Sequence, residues 1–285
     1  MNRDGHVVSV LIPTLGRPTL ASCREALEQQ TRLPDEIIVV KDEERRGAAW
    51  ARNEGIRRSR GDLLAFTDDD CVPPKDWLER LIGAVDRFDA AGAGGMFTEA
   101  DPLLQDIRHR RERRQGWIAD GAEQIDEVSL VGSGGNVLYR RIWLKACEDQ
   151  DGYVFNESFR ISQDWELAWR LRRGGARLIF VPTRVAHLRH LSSLAFLHLR
   201  FTRGIGIAML FKVQRAARTA ITIHKSLLWE EHGALTKANW LRALWIKVVG
   251  PFDVGSFASV RNYWLFWLGE KFQAVGFLWG LMRHR

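Results

Sequence analysis

Three consecutive carboxylates, Asp68, Asp69 and Asp70, close an apolar run over Asp62–Thr67 and lead into Cys71, Val72 and two prolines. Like charges crowded at that spacing repel one another unless a cation neutralises them. Hard divalent ions such as Mg²⁺ or Mn²⁺ take carboxylate oxygen together with substrate phosphate. The residue types therefore point to metal-assisted phosphate chemistry. A solvated acidic turn capping the following helix would use the same residues, and position separates the two readings. In open α/β sheets ligands bind beyond the carboxyl ends of the strands, which is where the triplet falls.

The elements that must place it can be read from periodicity. Val7–Ile12, Glu36–Val40 and Asp62–Thr67 are short apolar runs bounded by turn or charged residues, the pattern of buried strands. Helical patterns over Pro18–Gln30 and Ala48–Ser59 separate them, and a third, Lys75–Asp89, follows. Such alternation predicts right-handed βαβ units and a parallel sheet. Beyond Gly92–Gly95, strands are expected at Ala93–Phe97, Gly135–Tyr139, Arg177–Val181 and Arg184–Leu188, with an Arg-rich helix over Leu103–Trp117. From Leu191 onward only helices are expected, broken at Gly250-Pro251. This places a domain boundary near residue 190, with a catalytic domain over 1–190 and a helical extension over 191–285.

Composition narrows the classes. The 285 residues are 46% hydrophobic and 27% charged, with only 8 Pro among 25 Gly, which excludes a disordered or collagenous chain. Three scattered cysteines, Cys23, Cys71 and Cys147, lack disulfide or zinc spacing, and a reducing compartment suits them. The opening residues run straight into a strand pattern rather than a signal peptide, and no unbroken run of about 18 apolar residues suggests a simple membrane span. The G-x-x-x-x-G-K-[ST] loop and the G-x-G-x-x-G fingerprint are both absent, against NTPase and dinucleotide chemistry.

Five segments, in order, resemble the inverting family-2 glycosyltransferases of GT-A fold. They are Val8–Thr14, then Glu36–Asp42 with Gly47–Gly55, then Asp62–Asp70, then Gly134–Val137, and last Gln163–Leu171, which is similar to that family's E-D-x-x-L-x-x-R helix. The resemblance covers residues 8–190 and implies that residues 1–100 bind the nucleotide sugar and 101–190 form the acceptor side. It implies an α/β, Rossmann-like mixed sheet and a transferase, of hexosyltransferase type, acting on a nucleoside-diphosphate sugar. Pro13 and Thr14 would line the nucleotide pocket, with Asn53, Gly134 and Gly135 also on the donor side. Asp42 would meet the base, because a carboxylate can accept the imide N–H of uracil or thymine, and a UDP-sugar is the favoured donor. Asp68 would bond the ribose and Asp70 would hold Mn²⁺ or Mg²⁺, with Asp69 able to share the ion. His187 resembles the histidine that completes the metal site in parts of this fold. Asp164 would be the general base, with Glu166 behind it. Two departures stand out: Lys41-Asp42-Glu43-Glu44 replaces the usual acidic pair and Ser, and Gln163 replaces a Glu.

The net charge of +7 is unevenly distributed. Leu167–Trp229 holds 12 basic residues and no acidic one, so the rest of the chain stands at −5. Arg203, just before Gly204, could approach a diphosphate. The run from Arg108 to Arg114 reads as a solvated helix face. Over Ser256–Met282, Trp264, Leu268, Phe272, Val275, Trp279 and Met282 recur at helical spacing and lead to Arg283-His284-Arg285. Such a stripe suits an interfacial helix on an anionic leaflet. It would equally suit a packed core or a homo-oligomer interface. The sequence therefore predicts a metal-dependent inverting transferase of polysaccharide biosynthesis, cytoplasmic and peripheral on the inner face of the membrane. Its acceptor would be a saccharide or lipid-linked glycan. Against it stand a nucleotidyltransferase, whose Gly-rich signature Pro13–Arg17 matches poorly, and a nucleic-acid module, for which no zinc-finger, RNP-like or helix-turn-helix pattern is present.

Overall fold

The computed structural model describes residues 5–115, 126–127, 134–216 and 257–283. These residues form β1 (Val8–Thr14), α1 (Leu20–Glu28), β2 (Glu36–Lys41), α2 (Ala48–Arg58), β3 (Leu63–Thr67) and β4 (Cys71–Val72). There follow α3 (Trp77–Arg87), β5 (Gly92–Glu99), α4 (Pro102–Gln115), β6 (Asp126–Glu127), β7 (Asn136–Arg140) and α5 (Arg141–Asp151). The last elements are α6 (Gln163–Arg173), β8 (Leu178–His187), α7 (Ser193–Ala216) and α8 (Val260–Arg283). The expected break at Gly250-Pro251 lies outside the described residues.

Eight strands make one mixed sheet in the order β2-β1-β3-β7-β5-β8-β4, with β6 on β8. The first three strands are parallel, as the βαβ pattern predicts, and β7 then runs antiparallel to β3. β1 and β3 bury nearly every side chain because helices cover both faces. One apolar cluster joins Val8, Val10, Leu63 and Ala65 to Leu78, Leu81 and Val85 of α3. A second, on the other face, joins Leu11, Leu64 and Phe66 to Leu167 and Leu171 of α6. These two layers fix the carboxyl ends of β1 and β3 side by side.

β8 is one strand where two were expected. Its register with β5 shifts between Gly94 and Met96, opposite the stretch holding Pro182. A bulge absorbs the amide that proline lacks, so pairing resumes as far as Glu99 opposite His187.

The described residues divide into two compact units: the sheet with its helices up to Arg189, and a second unit of α4, α7 and α8. Within the second, Leu103, Leu104, Phe196 and Phe266 form a small core. α7 and α8 pack with backbones close together, since a Cβ at Gly204 would collide with the Gln273 carbonyl oxygen and one at Gly276 with that of Phe201. Arg200 and Glu270 pair in their seam, both buried. Arg110 is not part of a solvated face: it is buried, its guanidinium 5.6 Å from the Phe257 and Phe266 rings. α7 is long and apolar enough to cross a membrane by length and composition alone, with 44% of its most apolar stretch buried inside the protein. Reading only uninterrupted apolar runs missed this, because Arg200 and Arg203 interrupt the run without lowering its average enough.

Candidate active site

The parallel register of β1 and β3 brings Thr14 to Asp69. The Thr14 hydroxyl donates to Asp69 Oδ2 at 2.6 Å and itself accepts the Gly16 N–H at 2.8 Å. Gly16 has φ +86°, open to a residue without Cβ, and the turn through it carries Arg17 back over the triplet. Arg17 Nη1 lies 2.9 Å from both Asp69 Oδ1 and Asp70 Oδ2. Both carboxylates are buried, whereas the Arg17 side chain is 49% exposed. A cation thus already bridges the two acids, on a side chain half exposed to solvent.

Asp70 reaches a second partner across the sheet. The β4–β8 pairing puts Cys71 opposite His187, and Asp70 accepts the Leu188 N–H through its carbonyl at 2.7 Å. His187 Nε2 lies 3.3 Å from Asp70 Oδ1, and Nδ1 lies 2.8 Å from Glu99 Oε2. Burial works to raise the Asp70 carboxyl, but the His187 bond and the charges of His187, Arg17 and Arg189 outweigh it and hold it below the usual range. For His187, burial works to lower the imidazole, and the bonds to Asp70 and Glu99 prevail and raise it.

This set fits a divalent ion. A carboxylate, and an imidazole whose far nitrogen is held by a second carboxylate, is a recurrent arrangement at metal centres. With Nδ1–H donated to Glu99, Nε2 is left to ligate beside Asp70. Cys71 Sγ lies in the same group of ligand atoms, all within 4.8 Å of one another. Burial and then the charges of Asp68 and Asp70 push its thiol well up, so it stays protonated and suits a hard ion poorly.

Asp68 faces the other way. Its Oδ1 accepts Arg52 Nη2–H at 2.7 Å, and Arg52 is buried on α2 with its Nε unpartnered. Gly134 and Gly135 press on this pair: a Cβ at Gly134 would fall 2.5 Å from Arg52 Cζ, and one at Gly135 2.7 Å from Asp68 Oδ2. Asn136 anchors the following strand, accepting Trp77 Nε1–H at 2.8 Å and donating to the Met96 carbonyl at 2.7 Å. Gly134 also donates its N–H to Asp164 Oδ2 at 3.1 Å, and Asp164 Oδ1 accepts the Trp165 N–H at 3.0 Å. Asp164 lies in the first turn of α6, after Gln163, where the helix dipole favours a carboxylate. Ser162 before it holds φ +67°, a costly conformation for a residue with a side chain.

The model of the family described as glycosyl transferase family 2 matches residues 42–147, which span the Asp triplet and the glycine pair. Over those residues the chain is similar to glycosyltransferase family 2. It is 37% identical to glycosyltransferase AglE of Haloferax volcanii over 62 residues, 22% of this chain and 20% of that protein. It is 29% identical to the pre-mycofactocin glycosyltransferase of Mycobacterium tuberculosis over 157 residues, 53% of this chain and 32% of that one. The chain thus spans about a fifth to a third of the length of the curated relatives it matches first. A mannosyltransferase from Pyrobaculum calidifontis, solved with GDP-mannose and Mn²⁺, superposes with a TM-score of 0.57 at 15% identity, over 96% of this chain and 87% of that one. The fold is GT-A.

The other positions expected from the family-2 resemblance serve varied ends. Pro13 lies in β1 paired with Val40, beside Thr14. Asp42 is buried, accepting the Arg46 N–H at 2.9 Å and the Gly47 N–H at 2.6 Å, and so shapes the turn into α2. Asn53 binds the chain around Phe155: its amide donates to the Phe155 carbonyl at 2.8 Å and Glu157 at 2.9 Å and accepts the Phe155 N–H. Glu166 cannot stand behind Asp164 as a base. It is fully buried, with Arg170 Nε and Nη2 at 2.8 and 3.0 Å. Arg203 lies on α7, in the second unit. Family-2 reasoning missed Arg17 and Glu99. Arg17 was readable only as part of a turn, and Glu99 lies two residues past the expected strand end.

Proposed function

We propose that this chain is a divalent-metal-dependent inverting glycosyltransferase of family 2. It moves a hexosyl group from a nucleoside-diphosphate sugar, a UDP-sugar favoured, to a hydroxyl of a saccharide or lipid-linked glycan. The observation that carries this reading is one cluster. Asp69 and Asp70 end β3 beneath a displaceable guanidinium, Asp70 meets a Glu99-held His187, and Asp68 connects through Arg52 and Gly134 to Asp164. GDP-mannose and Mn²⁺ in the fold neighbour support the donor class and the metal.

Asp70 and His187 would hold Mn²⁺ or Mg²⁺, and Asp69, which shares the Arg17 nitrogen with Asp70, would be the further carboxylate beside it. When bound, such an ion neutralises charge growing on a leaving diphosphate. Thr14, Pro13 and the glycine pair line the donor side, and Asp68 offers its second oxygen to the ribose. Each Asp42 oxygen keeps a lone pair after accepting its backbone amide, so the carboxylate can also receive an imide N–H. Asp164 takes the proton from the acceptor hydroxyl as its oxygen attacks the anomeric carbon. The bond to the diphosphate oxygen breaks on the opposite face, which inverts the centre. The Gly134 amide and the first turn of α6 orient Asp164 for that task. Buried, unpaired thiols at Cys23, Cys71 and Cys147 suit a cytoplasmic setting, and polysaccharide assembly is the process proposed.

Asp164→Asn tests this directly. The amide keeps an oxygen for the Gly134 N–H, so donor affinity by calorimetry should be unchanged. Transfer should fall about 10²–10⁴-fold, the usual worth of a general base. Full transfer activity in the variant would contradict the assignment.

A further inference from the structure

The apolar stripe of α8 is exposed, with no cover among the described residues. Trp264, Leu268, Phe272, Val275, Trp279 and Met282 are spaced four, four, three, four and three residues apart and are between 36% and 67% exposed. The opposite face, with Tyr263, Phe266, Gly269, Gln273, Gly276 and Gly280, is buried. α8 has thus already met its packing partner on one side and offers a second apolar side over its whole length. Scattered exposed apolar residues are ordinary, but a continuous stripe with several aromatic rings marks an interaction surface.

Charge selects the occupant. α7 contains no acidic residue, and the one acid of α8, Glu270, is buried and paired with Arg200. Among the described residues, the accessible charges of the two helices are therefore all positive. On α8 they sit within the stripe and at its ends. Lys271 Nζ lies 4.6 Å from the Trp267 ring, Arg283 5.5 Å from the Trp279 ring, and Arg261 is exposed near the N-terminus. Amphipathic rings beside cations, with no exposed acid, fit the headgroup level of an anionic bilayer. A second copy of this face would bring like charges together, and a neutral core would gain nothing from them.

We propose that the α7–α8 pair lies in the plane of an anionic lipid surface, with the exposed stripe of α8 in the acyl boundary and its cations among the headgroups. Lys271 sets the orientation. It is midway along α8, so a spanning helix would put an ammonium at the bilayer centre, whereas an in-plane helix lets it reach the headgroups. The proposal does not depend on the catalytic reading.

Co-sedimentation of the full chain with phosphatidylglycerol–phosphatidylcholine and pure phosphatidylcholine vesicles tests it, without any measurement of transfer. The wild type should partition at least tenfold more strongly onto the anionic vesicles. Arg261→Ala with Arg283→Ala should lower that partition about tenfold or more, since each basic residue near the surface contributes roughly fivefold. Trp264→Ala, Phe272→Ala and Trp279→Ala together should abolish binding while leaving the circular dichroism and Tm unchanged. Equal binding to both vesicles would overturn the proposal. So would a loss of Tm in the triple variant with vesicle binding intact, which would mean the chain itself covers the stripe. A wild-type dimer that the triple variant converts to monomer, with no vesicle binding by either, would assign the stripe to a second copy. Resistance of bound wild type to alkaline carbonate would contradict the in-plane orientation.

Discussion

The two units treat buried charge in opposite ways. In the helical unit, Arg200 and Glu270 are both buried and neutralise each other within the seam of α7 and α8. In the sheet unit, Asp69 and Asp70 are buried but their counter-cation, Arg17, is half exposed on a turn. The closed pair can only hold structure, because neither partner can leave without stranding the other. The open one can exchange its cation. That difference, more than the number of charges, distinguishes a candidate metal site from a structural ion pair, and Glu166–Arg170 on α6 belongs with the closed kind.

Breaking the closed pair should have the larger consequence. Glu270→Ala leaves Arg200 buried without its carboxylate, and stability measured by denaturant unfolding should fall by about 3–5 kcal/mol. An unfolding curve unchanged from wild type would show that the seam is not closed to water. Arg17→Ala probes the open pair and should do something the closed pair cannot. With no guanidinium to displace, donor-free protein should bind Mn²⁺ about fivefold more tightly, the scale of a partly exposed ion pair. Its metal-free Tm should drop as Asp69 and Asp70 are left facing each other. Weaker Mn²⁺ binding would make Arg17 a support of the site rather than its placeholder.

The smallest effect belongs to a pair at the far end of the sheet. Burial works to lower His6, but bonds to Asp62 and Asp86 outweigh it, so its folded pKa is raised above the ordinary 6.5. Such a group stabilises fully below its unfolded pKa and loses that contribution as pH rises through the folded value. The stability gap between wild type and His6→Gln should therefore narrow from about pH 6 to about pH 8, from under about 1 kcal/mol. A gap that widens over that range would reverse the assigned sign.

What the sequence showed and what it hid follow from how far each signal reaches. Parallel β1, β2 and β3 and the helices between them were legible because buried apolar runs and 3.6-residue periodicity are local. The Asp triplet, Asp164 and His187 stood out as residue types at element ends. Glu99 did not, since its meaning comes from a parallel register that sets it opposite His187, 88 positions away. Pro182 split β8 on paper because the rule that proline ends a central strand does not foresee a bulge. β4, only two residues long, has no periodicity to read, although it carries the pairing that brings Cys71 opposite His187. The α8 stripe was visible, but whether it faced core or solvent depended on which side met α7, and the glycines at 269, 276 and 280 decide that.

We propose that donor binding at the end of β3 requires a divalent ion held by Asp70. Calorimetric titration of a UDP-sugar, with GDP- and dTDP-sugars as comparators, measures this most directly. Binding should weaken at least tenfold when Mn²⁺ is replaced by chelator, with no such difference in Asp70→Ala. Donor affinity in the wild type that is unaffected by removing the metal would contradict it.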